Sequence, residues 1–87
     1  MVKHIPVLKK EAIDALDVKR GGLYIDCNLG GGGHTAEILK LGGRVIGFDV
    51  DKSMVERAKD RFGKELKDGS LTVVCENFAN IRKLYMD

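Results

Sequence analysis

A run of four glycines at residues 30–33 constrains the fold of this chain more than any other feature of its sequence. The run follows a short apolar segment at residues 23–27 that is typical of a buried strand, and it precedes a stretch with helical apolar spacing. A carboxylate, Asp49, lies 19 positions after Gly30 and directly follows a second apolar run. This layout is typical of a nucleotide-type cofactor site in an α/β fold.

The rest of the chain alternates between helical and strand-like patterns. Residues 7–16 carry a helical apolar stripe after Pro6, and residues 45–48 and 71–75 form two further strand candidates. Between them, a helix begins at Asp51 or at a capping box formed by Ser53 and Glu56. Another helix is expected at residues 81–85. The apolar positions of the helix at residues 7–16 are Leu8, Ala12, Ile13 and Leu16. Those of the helix that begins near Asp51 are Met54, Ala58, Phe62 and Leu66.

Strands that are separated by helices of this length require crossover connections and a parallel sheet. In a doubly wound sheet the first three strands take the spatial order 3-2-1, and ligands bind at their carboxyl ends. Asp26 and the glycines follow the first strand, Asp49 ends the second, and Asn77 and Phe78 follow the third. We therefore predict that three loops meet at one edge of the sheet.

Composition narrows the class of protein without naming a partner. The chain has 87 residues and a net charge of +2, which neither requires nor excludes RNA. No apolar stretch approaches the roughly 20 residues that cross a bilayer, so we expect no membrane association and a cytoplasmic location. Cys27 and Cys75 have no metal-ligand spacing, and we expect reduced, buried thiols and no metal.

The glycine run distinguishes between cofactors. Glycines let the backbone approach a ligand closely, and Asp49 can accept hydrogen bonds from both hydroxyls of a ribose. A dinucleotide fingerprint would place a third glycine where Thr35 stands, and the Gly-Lys-Ser/Thr of a phosphate-binding loop is missing. Asp26 would repel a pyrophosphate but could hold an α-ammonium group. These features favour S-adenosylmethionine.

The same residues resemble a known family, the bacterial S-adenosylmethionine-dependent methyltransferases that modify N4 of a cytidine in small-subunit ribosomal RNA. The resemblance is to the N-terminal part of that family and covers nearly the whole chain, with Asn28 and Thr35 where Thr and Ser are expected. It is carried by His4-Ile5-Pro6-Val7-Leu8, Tyr24-Ile25-Asp26, Leu29-Gly30-Gly31-Gly32-Gly33-His34, Gly47-Phe48-Asp49-Val50-Asp51, Ala58-Lys59-Asp60-Arg61 and Asn77-Phe78.

The resemblance implies a role for five residues. Gly32, Gly33 and His34 would contact the methionine end of the cofactor, Asp49 would bind the ribose, and Phe78 would pack near the adenine. Without the family, His34 would be interpreted as an exposed residue at a helix N-terminus, and Phe78 as a core residue. The implied fold is the first half of a Rossmann-like class I methyltransferase, and the implied partner is ribosomal RNA or the small ribosomal subunit.

The family continues beyond the third strand into a fourth strand and an inserted helical domain. We therefore expect residues 1–87 to form a truncated cofactor-binding domain with no second domain, and we assign no catalytic residue. Because the part of the family that would hold the cytidine is missing, we expect the chain to be inactive alone, and whether it is itself an enzyme stays open. In such a fragment the first strand, residues 23–27, would be an open edge through which the chain self-associates. Two alternatives remain: a non-catalytic self-associating module, and a nicotinamide-dinucleotide domain, which Thr35 disfavours.

Overall fold

The sheet holds the predicted strands in parallel, together with one strand that was not predicted. In this computed structural model, which describes residues 7–8 and 18–81, the strands are β1 (Val7–Leu8), β2 (Leu23–Asp26), β3 (Arg44–Phe48) and β4 (Leu71–Val74). Their spatial order is β1-β2-β3-β4, and every neighbouring pair is parallel. The three predicted strands are β2, β3 and β4, and they lie side by side as the order 3-2-1 requires.

Helices cover both faces of this sheet because side chains along a strand point alternately to its two sides. Tyr24, Val45 and Leu71 join one core cluster with residues of α1 (Gly33–Lys40) and α2 (Lys52–Arg61). Ile25 and Phe48 join a second cluster with Phe78 of α4 (Phe78–Ile81). Burial on two faces explains why the strand sequences are continuously apolar rather than alternating.

The helix boundaries follow from local chemistry. Asp51 caps α2 by accepting a hydrogen bond from the Ser53 N–H at 2.9 Å, so the cap is Asp51 and not the Ser53 capping box. The chain leaves α1 through Gly42, whose φ of 91° is left-handed, and the Gly43 N–H donates to the Ile38 carbonyl at 2.9 Å.

The predicted helix containing Met54, Ala58, Phe62 and Leu66 is interrupted. Phe62 leaves helical geometry, with φ −113° and ψ 36°, and a separate helix α3 (Gly63–Asp68) follows. The next residue is Gly63, and glycine is a poor helix former. The Phe62 ring is also buried in the core, so the backbone turns between α2 and α3. The apolar spacing alone indicated one continuous helix, which was wrong.

Three further predictions need correction or fall outside the described residues. Val7 and Leu8 form β1, paired with Ile25 and Asp26, rather than the start of a helix. The edge of β2 is therefore not open at those two residues, and self-association stays a prediction. The last helix begins at Phe78 rather than at residue 81. Residues 9–17 and 82–87, and with them the rest of the first and last predicted helices, lie outside the described residues.

The two cysteines are only partly as predicted. No disulfide joins Cys27 and Cys75, but Cys27 is half-buried and Cys75 is exposed, because Cys75 follows the end of β4 rather than lying within it. In the described part of the chain, none of the helices is long and apolar enough to cross a bilayer.

Candidate functional site

Three loops meet at the carboxyl edge of the sheet, as the sequence predicted. The Leu29 N–H donates to the Phe48 carbonyl at 2.8 Å, which joins the loop after β2 to the end of β3. The Asp49 N–H donates to the Val74 carbonyl at 3.1 Å, which joins the loop after β3 to the end of β4. The loop after β2, residues 27–32, is called the glycine loop below.

Two glycines of this loop are required by the fold itself. Gly30 and Gly32 have φ values of 52° and 86°, in the left-handed region that favours glycine. A Cβ atom on Gly32 would also lie 2.6 Å from Cε2 of the Phe62 ring. The Gly32 N–H donates to the Leu29 carbonyl at 2.8 Å, and the Gly32 carbonyl accepts from Ala36, so the loop turns directly into α1.

The other two glycines of the run are not required by the fold. Gly31 and Gly33 are exposed, their φ values are not positive, and a Cβ atom on either would meet nothing within 4 Å. The free space lies at the N-terminus of α1, where the first N–H groups of a helix have no partner within the helix. No side chain caps this end in the described structure, and its first turn carries no acidic residue. The geometry therefore offers N–H donors beside open space.

Asp49 ties the glycine loop to the second loop. Its Oδ2 accepts a hydrogen bond from the Gly30 N–H at 2.8 Å, and its Oδ1 accepts one from the Asp51 N–H at 2.9 Å. The residue is only 8% exposed. A carboxylate has about four lone-pair positions, so each oxygen of Asp49 retains an acceptor position for a ligand hydroxyl.

Asp26, at the end of β2, is a second buried carboxylate. It is 2% exposed, and its partners among the described residues are the Thr35 hydroxyl at 2.8 Å and the Asn28 N–H at 3.2 Å. Burial raises the pKa of the Asp26 carboxyl, against the opposing effects of the two hydrogen bonds and of His34, while the charge of Asp49 adds to the rise. Both hydrogen-bond donors are uncharged. Neither donor neutralises the charge of the Asp26 carboxylate, so a cationic ligand group could do so.

The predicted site residues lie on these loops or in the first turn of the helix that follows, and they differ in environment. His34 is half-buried in the first turn of α1. Phe78 is 9% exposed, and its ring centroid lies 5.2 Å from that of Phe48 in the second core cluster. This position agrees with the interpretation of Phe78 as a core residue, which rested on its residue type without the family. The adenine contact implied by the family stays a prediction.

For three residues that shape the site, the sequence did not predict the contact that the structure shows. Thr35 is completely buried and bonds to Asp26; the signal was a hydroxyl at the sixth position of the glycine pattern. Gly47 leaves room for the Leu29 side chain, which a Cβ atom on Gly47 would approach to 2.9 Å. Arg61 Nη1 donates to the Gly31 carbonyl at 2.6 Å; the sequence offered Arg61 only as part of the family-like segment Ala58-Lys59-Asp60-Arg61, with no role assigned to it.

Comparison with known proteins finds similarity along the whole chain. A family model described as the MraW methylase family matches residues 1–87. Proteins named ribosomal RNA small subunit methyltransferase H are 43% identical over 82 residues in Oenococcus oeni and 49% identical over 83 residues in Clostridium botulinum. These matches cover 92% and 91% of this chain but only 26% of each relative, so the chain spans about a quarter of their length.

A solved structure has a similar fold. The crystal structure described as that of an rRNA-methylase from Clostridium thermocellum superposes with a TM-score of 0.66 and 27% sequence identity. The match covers 80% of this chain and 39% of that one.

Proposed function

The chain belongs to the MraW methylase family, and from this premise we propose that it is the S-adenosylmethionine-binding part of an RNA methyltransferase. The observation that carries the proposal is the hydrogen bond between Asp49 Oδ2 and the Gly30 N–H at 2.8 Å. It holds a carboxylate suited to a ribose beside a glycine loop suited to close ligand approach.

The donor and acceptor groups at this edge fit S-adenosylmethionine in three respects. The ribose has vicinal hydroxyls that can donate hydrogen bonds to the Asp49 carboxylate. The methionine carboxylate is an anion that the N–H groups at the start of α1 can bind, from Gly33 onward. The methionine α-ammonium is a cation that suits the buried carboxylate of Asp26.

The same groups fit a dinucleotide poorly. A pyrophosphate at the start of α1 would place its negative charge near Asp26, which lies within hydrogen-bonding distance of Thr35 in the first helical turn. Thr35 also replaces the glycine that dinucleotide-binding folds use for close packing of helix and strand, and its hydroxyl is committed to Asp26. We therefore propose a methyl donor rather than a nicotinamide cofactor.

The bound cofactor would supply an activated methyl group on a sulfonium sulfur. The residues of this chain would bind and orient that cofactor: Asp49 at the ribose, the glycine loop and α1 at the methionine carboxylate, and Asp26 at the ammonium. Fixing the donor in place is a large part of catalysis in a displacement reaction, because orientation removes entropy from the barrier. Ribosomal RNA as the substrate is proposed from the names of the relatives.

Nuclear magnetic resonance titration with three adenosine-containing ligands tests the identity of the cofactor. We expect S-adenosylhomocysteine, the stable product of methyl transfer, to shift the amide resonances of Gly33 and Asp49, while NADH and ATP leave them unchanged. Lys67, exposed on α3, serves as the internal control because α3 leads into the amino end of β4, at the edge of the sheet opposite the three loops. Shifts with NADH but not with S-adenosylhomocysteine would contradict the proposal.

A further inference from the structure

Arg61 lies in the last turn of α2, and its side chain reaches the glycine loop. Its Nη1 donates a hydrogen bond to the Gly31 carbonyl at 2.6 Å, across 30 positions of sequence. The central carbon of its guanidinium group also lies 5.0 Å from the centroid of the Phe62 ring, within the range of a cation–π contact. One side chain therefore joins the loop to the core.

The Phe62 ring supports the loop at the next residue. A Cβ atom on Gly32 would lie 2.6 Å from Cε2 and 3.0 Å from Cζ of this ring, so the Gly32 backbone rests against it. The ring is itself 5% exposed and belongs to the first core cluster. Arg61 and Phe62 thus hold two consecutive residues of the loop from adjacent positions at the end of α2.

Fixing the Gly31 carbonyl also fixes the direction of the Gly32 N–H, because both belong to one planar peptide unit. That N–H donates to the Leu29 carbonyl at 2.8 Å and closes the turn that leads into α1. Glycines have more backbone freedom to lose than any other residue, so a run of them is ordered only when other contacts hold it. The Arg61 hydrogen bond is such a contact.

We propose that Arg61 is a positioning residue for the cofactor site. It keeps the glycine loop in the conformation that binds a ligand, without itself being one of the groups assigned to the cofactor. Only the identity of the ligand rests on the proposed function; the ordering of the loop does not. If Arg61 is lost, the binding-competent fraction of the loop falls, and the apparent affinity falls by the same factor.

The test compares Arg61→Gln with Arg57→Gln. Arg57 is an exposed arginine one turn earlier on α2, so the control removes the same charge from the same helix. Hydrogen exchange at the Gly32 N–H reports on the loop, and exchange at the Val45 N–H, which donates to the Ser70 carbonyl at 2.8 Å, reports on the sheet. S-adenosylhomocysteine titration reports on binding.

We expect Arg61→Gln to accelerate exchange at Gly32 and to weaken S-adenosylhomocysteine binding, each by about tenfold, while Val45 is unchanged. Arg57→Gln should change neither. The proposal is overturned if Gly32 exchange is the same in Arg61→Gln and wild type, or if Val45 accelerates in parallel, which would mean that Arg61 acts on the whole fold. A wild-type chain that binds no S-adenosylhomocysteine would contradict the proposed cofactor, while Gly32 exchange would still decide the role of Arg61.

Discussion

Asp49 and Gly30 are joined by a 2.8 Å hydrogen bond from the Gly30 N–H to Asp49 Oδ2, although 19 positions separate them in sequence. The other oxygen of Asp49 accepts from the Asp51 N–H at 2.9 Å. The carboxylate thus joins the glycine loop to the loop that follows β3. Loops that are held by hydrogen bonds within the chain have less entropy to lose when a ligand binds.

Asp49→Asn should destabilise the fold by roughly 1–2 kcal/mol, because an amide presents an acceptor to only one of the two N–H groups and leaves the other without a partner. Urea denaturation measures the free energy of unfolding. Asp51→Asn is the matched control: asparagine is as good a helix cap as aspartate, so little change is expected. Equal effects of the two substitutions would contradict the ordering role of Asp49.

Gly33→Ala should leave the free energy of unfolding unchanged or raise it by up to about 1 kcal/mol, since alanine is the better helix former and nothing lies near the added methyl group. It should nevertheless weaken S-adenosylhomocysteine binding, because the methyl group enters the space assigned to the ligand. Unfolding and ligand titrations on the same variant separate the two effects. Unchanged affinity for S-adenosylhomocysteine would contradict the placement of the ligand beside Gly33.

Gly32→Ala should behave in the opposite way. Its φ of 86° and the Phe62 ring at 2.6 Å from the added Cβ predict a loss of roughly 1–3 kcal/mol of stability. Thermal unfolding followed by circular dichroism measures this loss. If Gly32→Ala is as stable as Gly33→Ala, the Phe62 ring does not restrict the residue at position 32.

Asp26 should make stability depend on pH. Burial raises the pKa of its carboxyl in the folded state, so the folded chain holds this proton more tightly than the unfolded chain. The resulting stabilisation is complete below the ordinary pKa of 3.8 and is lost as pH rises through the raised value. The free energy of unfolding of wild type minus that of Asp26→Asn should therefore fall with rising pH. A difference that rises with pH would contradict the assigned direction.

Asp26 should also make ligand binding depend on pH, in a way that depends on the ligand's ammonium group. A nearby cation favours the ionised carboxyl, so S-adenosylhomocysteine should bind more tightly as pH rises through the pKa of Asp26. Methylthioadenosine lacks the amino-acid portion and should show no such dependence. Calorimetry with both ligands at several pH values measures this. Parallel pH profiles for the two ligands would place the ammonium away from Asp26.

The alternation of apolar strand runs with helical stretches predicted the parallel sheet and the side-by-side order of β2, β3 and β4. The positions of the glycines and of Asp49 directly after strands predicted the meeting of three loops. These features are local, since strand ends and turns are encoded by adjacent residues. β1 was missed because two residues carry too little pattern to predict a strand, and their conformation depends on pairing with Ile25 and Asp26. The interruption at Phe62 was missed because apolar spacing continues across it.

The contacts that shape the site were the hardest to predict. Arg61 contacts Gly31 across 30 positions, and Gly47 makes room for Leu29 on another element. Such contacts exist only after the sheet has formed. Asp49 was placed by its spacing after the glycines, but its bond to Gly30 required the folded geometry.

Calorimetric titration of the chain with S-adenosylhomocysteine, in wild type and Asp49→Ala, tests whether the Asp49 carboxylate binds the cofactor at this edge of the sheet. We expect saturable one-to-one binding with a dissociation constant on the order of micromolar, weakened at least about tenfold by Asp49→Ala. Circular dichroism of both proteins confirms that each is folded under the titration conditions. A folded wild-type chain that binds no S-adenosylhomocysteine, or an Asp49→Ala variant that binds it as tightly as wild type, would contradict the proposed cofactor site.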